Sequence, residues 1–203
     1  IIVSDQAGKS NILSRLEKYG IKIDSRDPKI LKILEEVKDR EFSGYSYDGA
    51  DASFELLANR LLGNVPDYLK VVSYSVTVEK TNKLNTNAEV VFLIDGIKIK
   101  CNGTGNGPVN ALDNAIRENF SKVEKYYNFF SDLKLLDYKV RILNTGTEAI
   151  TRVLIESSDK SGISWFTIGV SPNIIEASFK ALIDSLDYKL FKEKAPANIK
   201  LNA

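Results

Sequence analysis

The run Gly103-Thr104-Gly105-Asn106-Gly107-Pro108 is the first place to look for chemistry, because it stands between a stretch of strand period and a stretch of helix period. Glycines there let a backbone approach closely, and a helix start leaves free N–H groups that favour an anion. A tight turn explains the same residues without a ligand. A dinucleotide fingerprint is not expected. It would place its third glycine where Pro108 stands, and it belongs to a βαβ unit rather than to hairpin-linked strands. Gly169-Val170-Ser171-Pro172-Asn173 has the same setting further along the chain. If two such helix starts converge, the cavity between them suits a carboxylate on an apolar body, such as an amino acid.

Other candidates have plainer readings. Ala7-Gly8-Lys9-Ser10 ends like a P-loop, but Val3 occupies the first glycine position, so a helix N-terminus is expected instead. The chain has no histidine, which excludes Ser-His-Asp and Cys-His catalysis and His-ligated metal within it. No catalytic residue, metal ligand or cofactor site is therefore expected here. Cys101 alternates inward with Ile97 and Ile99 and reads as a buried small hydrophobe. Asp137–Arg141 reads as a solvated strand face with Tyr138 and Val140 buried beneath it. Tyr126-Tyr127 and Phe129-Phe130 read as core or subunit packing, and Glu35, Glu36, Asp39 and Glu41 as a solvated helix face.

The whole chain bounds these readings. Its 203 residues are 43% hydrophobic, enough for a real core. Lys+Arg 28 against Asp+Glu 27 gives a net charge of +1, without the basic surplus of a nucleic-acid binder. No apolar run approaches the ~20 residues of a membrane span, and no signal-peptide pattern opens the chain. A single cysteine fits a reducing cytoplasm. The chain contains no methionine and begins with Ile1, so a piece of a longer protein is expected, with further chemistry in the remainder.

The elements that must hold the glycine-rich runs are read from periodicity. Residues 1–70 read as helical: Lys9–Tyr19, a helix entered at Asp27-Pro28, and a third from near Asp48 to Gly63. The period then falls to two. Val72, Tyr74, Val76 and Val78 mark one strand, Val90–Ile94 a second, and Ile97, Ile99 and Cys101 a third, with Asp95-Gly96 as the hairpin turn. A helix opens at Pro108, with Val109, Leu112, Ile116, Phe120 and Val123 on one stripe. The order then recurs: Leu136–Ile142, Ala149–Ser157, Trp165–Gly169, and a helix from Asn173 with Ile175, Phe179, Leu182 and Leu186. Gly96 and Gly162, Gly103 and Gly169, Ala111 and Ala177, Ala115 and Ala181 are each 66 positions apart. This is an internal βββα repeat. The expected fold is α+β: a helical linker subdomain at 1–70 followed by two pseudo-twofold-related βββα units, strands on one side and helices on the other. The units span about 71–130 and 135–192 of a domain at 71–194, and 195–203 is a tail.

Ile1–Leu16 and Gly44–Leu57 resemble the segments that follow the catalytic barrel in the 2-isopropylmalate/homocitrate/citramalate synthase family. Gly105–Ala111 and Gly169–Ala181 are similar to the paired signatures of that family's C-terminal regulatory domain. Asp137–Leu143, Gly146–Glu148, Arg152–Asp159 and Tyr188–Leu190 look most like the citramalate synthase branch. The resemblance implies a regulatory and dimerisation region, with the acetyl-CoA condensation, its divalent metal and its catalytic residues in an N-terminal barrel. For a citramalate synthase the second substrate is pyruvate and the effector isoleucine. For a 2-isopropylmalate synthase they are 2-oxoisovalerate and leucine. Carried over by motif, Asn106, Gly107, Pro108, Val109 and Asn110 form one wall of the effector site, and Ser171, Pro172, Asn173 and Ile174 the other. The implied partners are a branched-chain amino acid, a second copy of the chain and its own barrel. A stand-alone amino-acid-sensing module is the alternative from another class.

Overall fold

The computed structural model describes residues 2–120, 123–143 and 149–199, with 2–7 as backbone. The Gly146–Glu148 signature, Ile1 and the end of the tail, 200–203, lie outside the described residues. Three helices open the chain: α1 (Ile2–Lys18), α2 (Pro28–Phe42) and α3 (Asp51–Leu62). They are followed by β1 (Lys70–Lys80), β2 (Leu84–Ile94), β3 (Ile97–Gly105), α4 (Pro108–Phe120) and α5 (Glu124–Phe130). The strand–helix order then repeats as β4 (Lys134–Ile142), β5 (Thr151–Ser158), β6 (Ser164–Ser171) and α6 (Ile174–Lys192). The strands form two separate antiparallel sheets, ordered β1-β2-β3 and β4-β5-β6. The fold is α+β with a repeated βββα unit, as the 66-residue spacing implied.

The repeat has a physical basis in the contact between strand and helix. A Cβ built on Gly103 would lie 2.2 Å from the Ala115 nitrogen, and one on Gly169 would lie 1.9 Å from the Ala177 oxygen and 2.8 Å from the Ala181 nitrogen. In each unit a helix therefore rests directly on a strand backbone, glycine against alanine. Leu112, Ile116 and Phe120 of α4 and Phe179, Leu182 and Leu186 of α6 then reach one shared core with Val90, Phe92, Val153 and Ile155 from the central strands.

A second core lies under α1–α3. Ile12, Leu16, Ile30, Ile33, Val37, Phe54 and Leu57 pack there with Ile168 and Val170 of β6. Strand β6 is thus buried on both faces: Trp165 and Thr167 turn to the shared core, Ile168 and Val170 to the helices. The expectation of strands on one side and helices on the other is corrected here. The outer face of the second sheet is itself a packing surface for the opening helices.

Several local expectations hold. Asp27 caps α2, its Oδ1 accepting from the Lys29 N–H at 2.9 Å, with Pro28 at the first helical position. Asp95 (φ 50°) and Gly96 (φ 77°) form the hairpin turn. Cys101 is fully buried.

Other expectations are corrected. Helix α1 starts well before Lys9, so Ala7–Ser10 lies inside the helix and its N–H groups belong to the helical ladder, not to a helix start. Helix α3 begins at Asp51 rather than near Asp48. A bulge between Val71 and Ser73 shifts the phase of β1, so Val71 turns inward while Val72 is exposed. Strand β4 has the same irregularity between Leu135 and Asp137. There Tyr138 is half-buried, but Val140 is 40% exposed, not buried. The aromatic run 126–130 serves this chain's own core: Tyr126 and Phe130 are buried, and Phe130 meets Phe120 edge-on at 4.7 Å. Of the four aromatic side chains in that run, Tyr127 is the exposed one.

Residues 196–199, after α6, are fastened to the first unit. Asn198 accepts from the Asp95 N–H at 2.6 Å and donates to the Leu93 carbonyl, while Lys125 ties Asp95 to the Ala197 carbonyl. At the end of α6, buried Lys189 joins Asp159 at 2.5 Å, Glu193 at 2.6 Å and Asp132 at 3.3 Å, pinning two loops to the helix. Gly169→Ala should destabilise the chain by about 3 kcal/mol or more, at the upper end of overpacking costs. Urea unfolding followed by circular dichroism measures it.

Candidate functional site

The two strand-to-helix junctions that contain the candidate residues are built differently. At the first, the Asn106 N–H donates to Asn110 Oδ1 at 3.1 Å, and the Gly107 carbonyl accepts from Ala111 at 2.9 Å. Asn114 reaches back to the Thr104 carbonyl. Pro108 opens α4 without an N–H, and the first turn contains no acidic side chain. The dipole of α4 therefore faces outward with no internal anion. A Cβ on Gly107 would meet nothing within 4 Å. The close approaches needed by glycine in this run are at Gly103 and Gly105, and both are to the chain's own helix.

At the second junction the capping groups are already engaged. Asn173 Oδ1 accepts from the N–H groups of Ile175 at 2.8 Å and Glu176 at 3.3 Å. Ser171 Oγ accepts from the Asn173 N–H and donates to Glu176 Oε2 at 2.6 Å. That hydrogen bond, and then Lys180 at 3.0 Å, hold the Glu176 carboxyl below its ordinary range. Hence α6 has its own carboxylate at its N-terminus, and α4 does not. Ile174 is exposed and Val109 half-buried. Among the described residues no hydrogen bond joins 106–110 to 171–174. Cavities of about 670, 540, 450 and 450 Å³ lie elsewhere.

The structure also assembles a polar seam that no local pattern in the sequence announces. Arg60 of α3 forks onto two carboxylates of α6, with Nη1 to Asp184 Oδ1 and Nη2 to Asp187 Oδ2, both at 2.7 Å. Ser53 accepts from the Ile168 N–H and donates to Asp184. Tyr188 and Lys192 close the row on buried Glu55 at 3.0 and 3.2 Å. A cavity of about 670 Å³ adjoins this seam and is lined by Arg40, Tyr45, Phe179, Lys180 and Asp184 among others. Burial pushes the Asp187 carboxyl up to about 7, with Asp184 adding repulsion and Arg60 opposing both. Asp184 and Asp187 are three residues apart on a helix, a spacing shared by any solvated face. Only the packing of α3 onto α6 turns them inward.

Among the described residues there is no group of three or more His, Cys, Asp or Glu that could hold a metal ion. No described helix is long and apolar enough to cross a membrane.

Comparison with known proteins bears on the paired βββα units. The profile of the LeuA allosteric (dimerisation) domain matches residues 48–190. The chain belongs to that family. Over 199 residues it is 46% identical to an (R)-citramalate synthase of Geobacter sulfurreducens and 43% identical to one of Aquifex aeolicus. Each match takes in 96% of this chain and 37% of the relative. A 2-isopropylmalate synthase of Aquifex aeolicus is 27% identical over 197 residues, 96% of this chain and 35% of its own. The chain thus spans about a third of the length of the curated relatives it matches. The match takes in α3 and both βββα units as far as residue 190, so Arg60, Asp184 and Asp187 lie within it.

Burial of Asp187 gives the LeuA domain a titration whose sign follows from its raised pKa. Its carboxyl ionises near 3.8 in the unfolded chain and near 7 in the folded one, so the folded state binds the proton more tightly. Stability should fall as pH rises from about 4 to about 7. Asp187→Asn, which keeps an acceptor for Arg60, should flatten that slope. Urea midpoints across the range measure both.

Proposed function

We propose that this chain is the C-terminal regulatory and dimerisation part of a citramalate synthase. The observation that carries this reading is the difference between two relatives from one organism. In Aquifex aeolicus the citramalate synthase is 43% identical and the 2-isopropylmalate synthase 27%, over almost the same length. The full protein then condenses acetyl-CoA with pyruvate in an N-terminal catalytic barrel that binds a divalent metal, in the cytoplasm. An assay of the intact enzyme with pyruvate against 2-oxoisovalerate tests the choice. Faster turnover of 2-oxoisovalerate would overturn it in favour of 2-isopropylmalate synthase and leucine. The chain by itself, lacking histidine, should release no CoA from acetyl-CoA and pyruvate above a no-protein control.

In this reading isoleucine binds between the two helix starts, at 106–110 and 171–174. The asymmetry of the junctions supports an orientation. The ligand carboxylate goes to the start of α4, whose first turn has no acidic side chain and where the dipole contributes about 0.3–1 kcal/mol. The ammonium goes toward Glu176 at the start of α6. The branched side chain lies against Val109, Pro172 or Ile174, and burying the three carbons it has beyond alanine's methyl, at ~0.8 kcal/mol each, discriminates against alanine. Calorimetry with isoleucine is the test. Binding should weaken strongly in Gly107→Val, whose Cβ would meet nothing of the chain within 4 Å. No heat at millimolar isoleucine or leucine would remove the effector reading.

Homodimer formation is part of the same proposal. Most of the aromatic run 126–130 does not support it, since Tyr126 and Phe130 are buried in the core and Phe129 packs against it. Two edge strands do: Val72 and Val78 of β1 are exposed, as are Leu136, Val140 and Ile142 of β4. Uncovered apolar edges of this kind invite a second chain. Light scattering should give twice the chain mass of 22.6 kDa at tens of micromolar.

A further inference from the structure

The signature segments Asp137–Leu143 and Arg152–Asp159 have no part in the effector reading, yet they place two like charges against each other. Arg141 of β4 and Arg152 of β5 are direct cross-strand partners. Like charges in that position are destabilising unless something answers them. Neither arginine forms an ion pair with a carboxylate among the described residues. Arg152 is held instead by backbone carbonyls, donating from Nε to Gly44 at 2.6 Å and from Nη2 to Tyr45. Burial, and then the charge of Arg141, lower its basicity. Arg141 is exposed and makes no described hydrogen bond.

Both arginines line a cavity of about 450 Å³ between the outer face of β4–β5 and the loop joining α2 to α3. Lys139 also lines it but is neutralised by Asp137 at 2.9 Å. The facing loop supplies Ser46 and Asp48, and Asp48 has no described ion pair. Leu154 and the buried Ile168, neighbours across β5 and β6, give the cavity an apolar part. The lining therefore offers two guanidinium groups, one carboxylate acceptor and an apolar surface.

We propose that this cleft binds a small carboxylate with a hydrogen-bond donor on the adjacent carbon, an α-hydroxy or α-amino acid. Its carboxylate bridges Arg141 and Arg152, since guanidinium groups recognise carboxylates through paired N–H bonds. Its hydroxyl or ammonium donates to Asp48, and its carbon body lies on Leu154 and Ile168. The occupied cleft joins the opening helices to the second βββα unit through groups from both. This site is separate from the helix starts and does not depend on isoleucine binding there.

Calorimetric titration of the chain with malate and with isoleucine, each against butyrate at matched ionic strength, tests the proposal. Malate and isoleucine separate the hydroxy-acid from the amino-acid source, and butyrate lacks the α-donor. At least one of the two should bind saturably and at least tenfold more tightly than butyrate. That event should persist in Gly107→Val and weaken at least tenfold in Arg141→Gln. Because Arg141 is exposed, Arg141→Gln should unfold at the wild-type urea midpoint or above it. Asp48→Asn should weaken whichever of the two binds more than it weakens butyrate. Absence of any binding event that survives Gly107→Val and is lost in Arg141→Gln overturns the proposal.

Discussion

In both βββα units the helix lies against the backbone of its own third strand, and the side chains at the contact are the smallest available. Gly103 meets Ala115, and Gly169 meets Ala177 and Ala181, at separations no Cβ would tolerate. This steric constraint governs the geometry of both units. It fixes the height of α4 and α6 above their sheets, and hence how far Leu112, Ile116, Leu182 and Leu186 reach into the shared core. It also fixes where each helix begins, because the strand must end and the chain turn within the few residues after the glycine contact. The candidate effector residues occupy those turns. Their position is a consequence of packing before it is a property of any ligand.

The second unit is burdened in a way the first is not. Strand β6 is covered on one side by α6 and on the other by the opening helices, and α6 is gripped along its length by Ser53, Glu55 and Arg60. The start of α6 is capped by Asn173 and Ser171 and balanced by Glu176. Among the described residues, the start of α4 has none of these tethers to α3. A twofold repeat in sequence has become one anchored unit and one freer unit.

Much of the fold was legible because its signals are local or periodic. Asp27-Pro28 announces α2, Asp95-Gly96 the hairpin, and the apolar stripe from Leu112 to Phe120 announces α4. The 66-residue offset between glycine–alanine pairs marked the repeat, since the same close packing imposes the same residues twice. The bulges of β1 and β4 were not legible. A one-residue irregularity leaves composition unchanged while it reverses which side chains face inward, as Val71 and Val72 show.

The order of the elements other than α5, the α+β class, the duplicated unit and the two strand-to-helix turns could be read from sequence alone, because their signals are local or recur at a fixed offset. Tertiary structure alone decided that Arg60 joins Asp184 and Asp187, that Lys189 is buried among three carboxylates, and that Arg141 stands opposite Arg152 above a cleft. Charged residues on helices and strands look the same in sequence whether they face water or a partner. Their chemistry is set by what the fold places across from them, and those partners come mostly from distant parts of the chain.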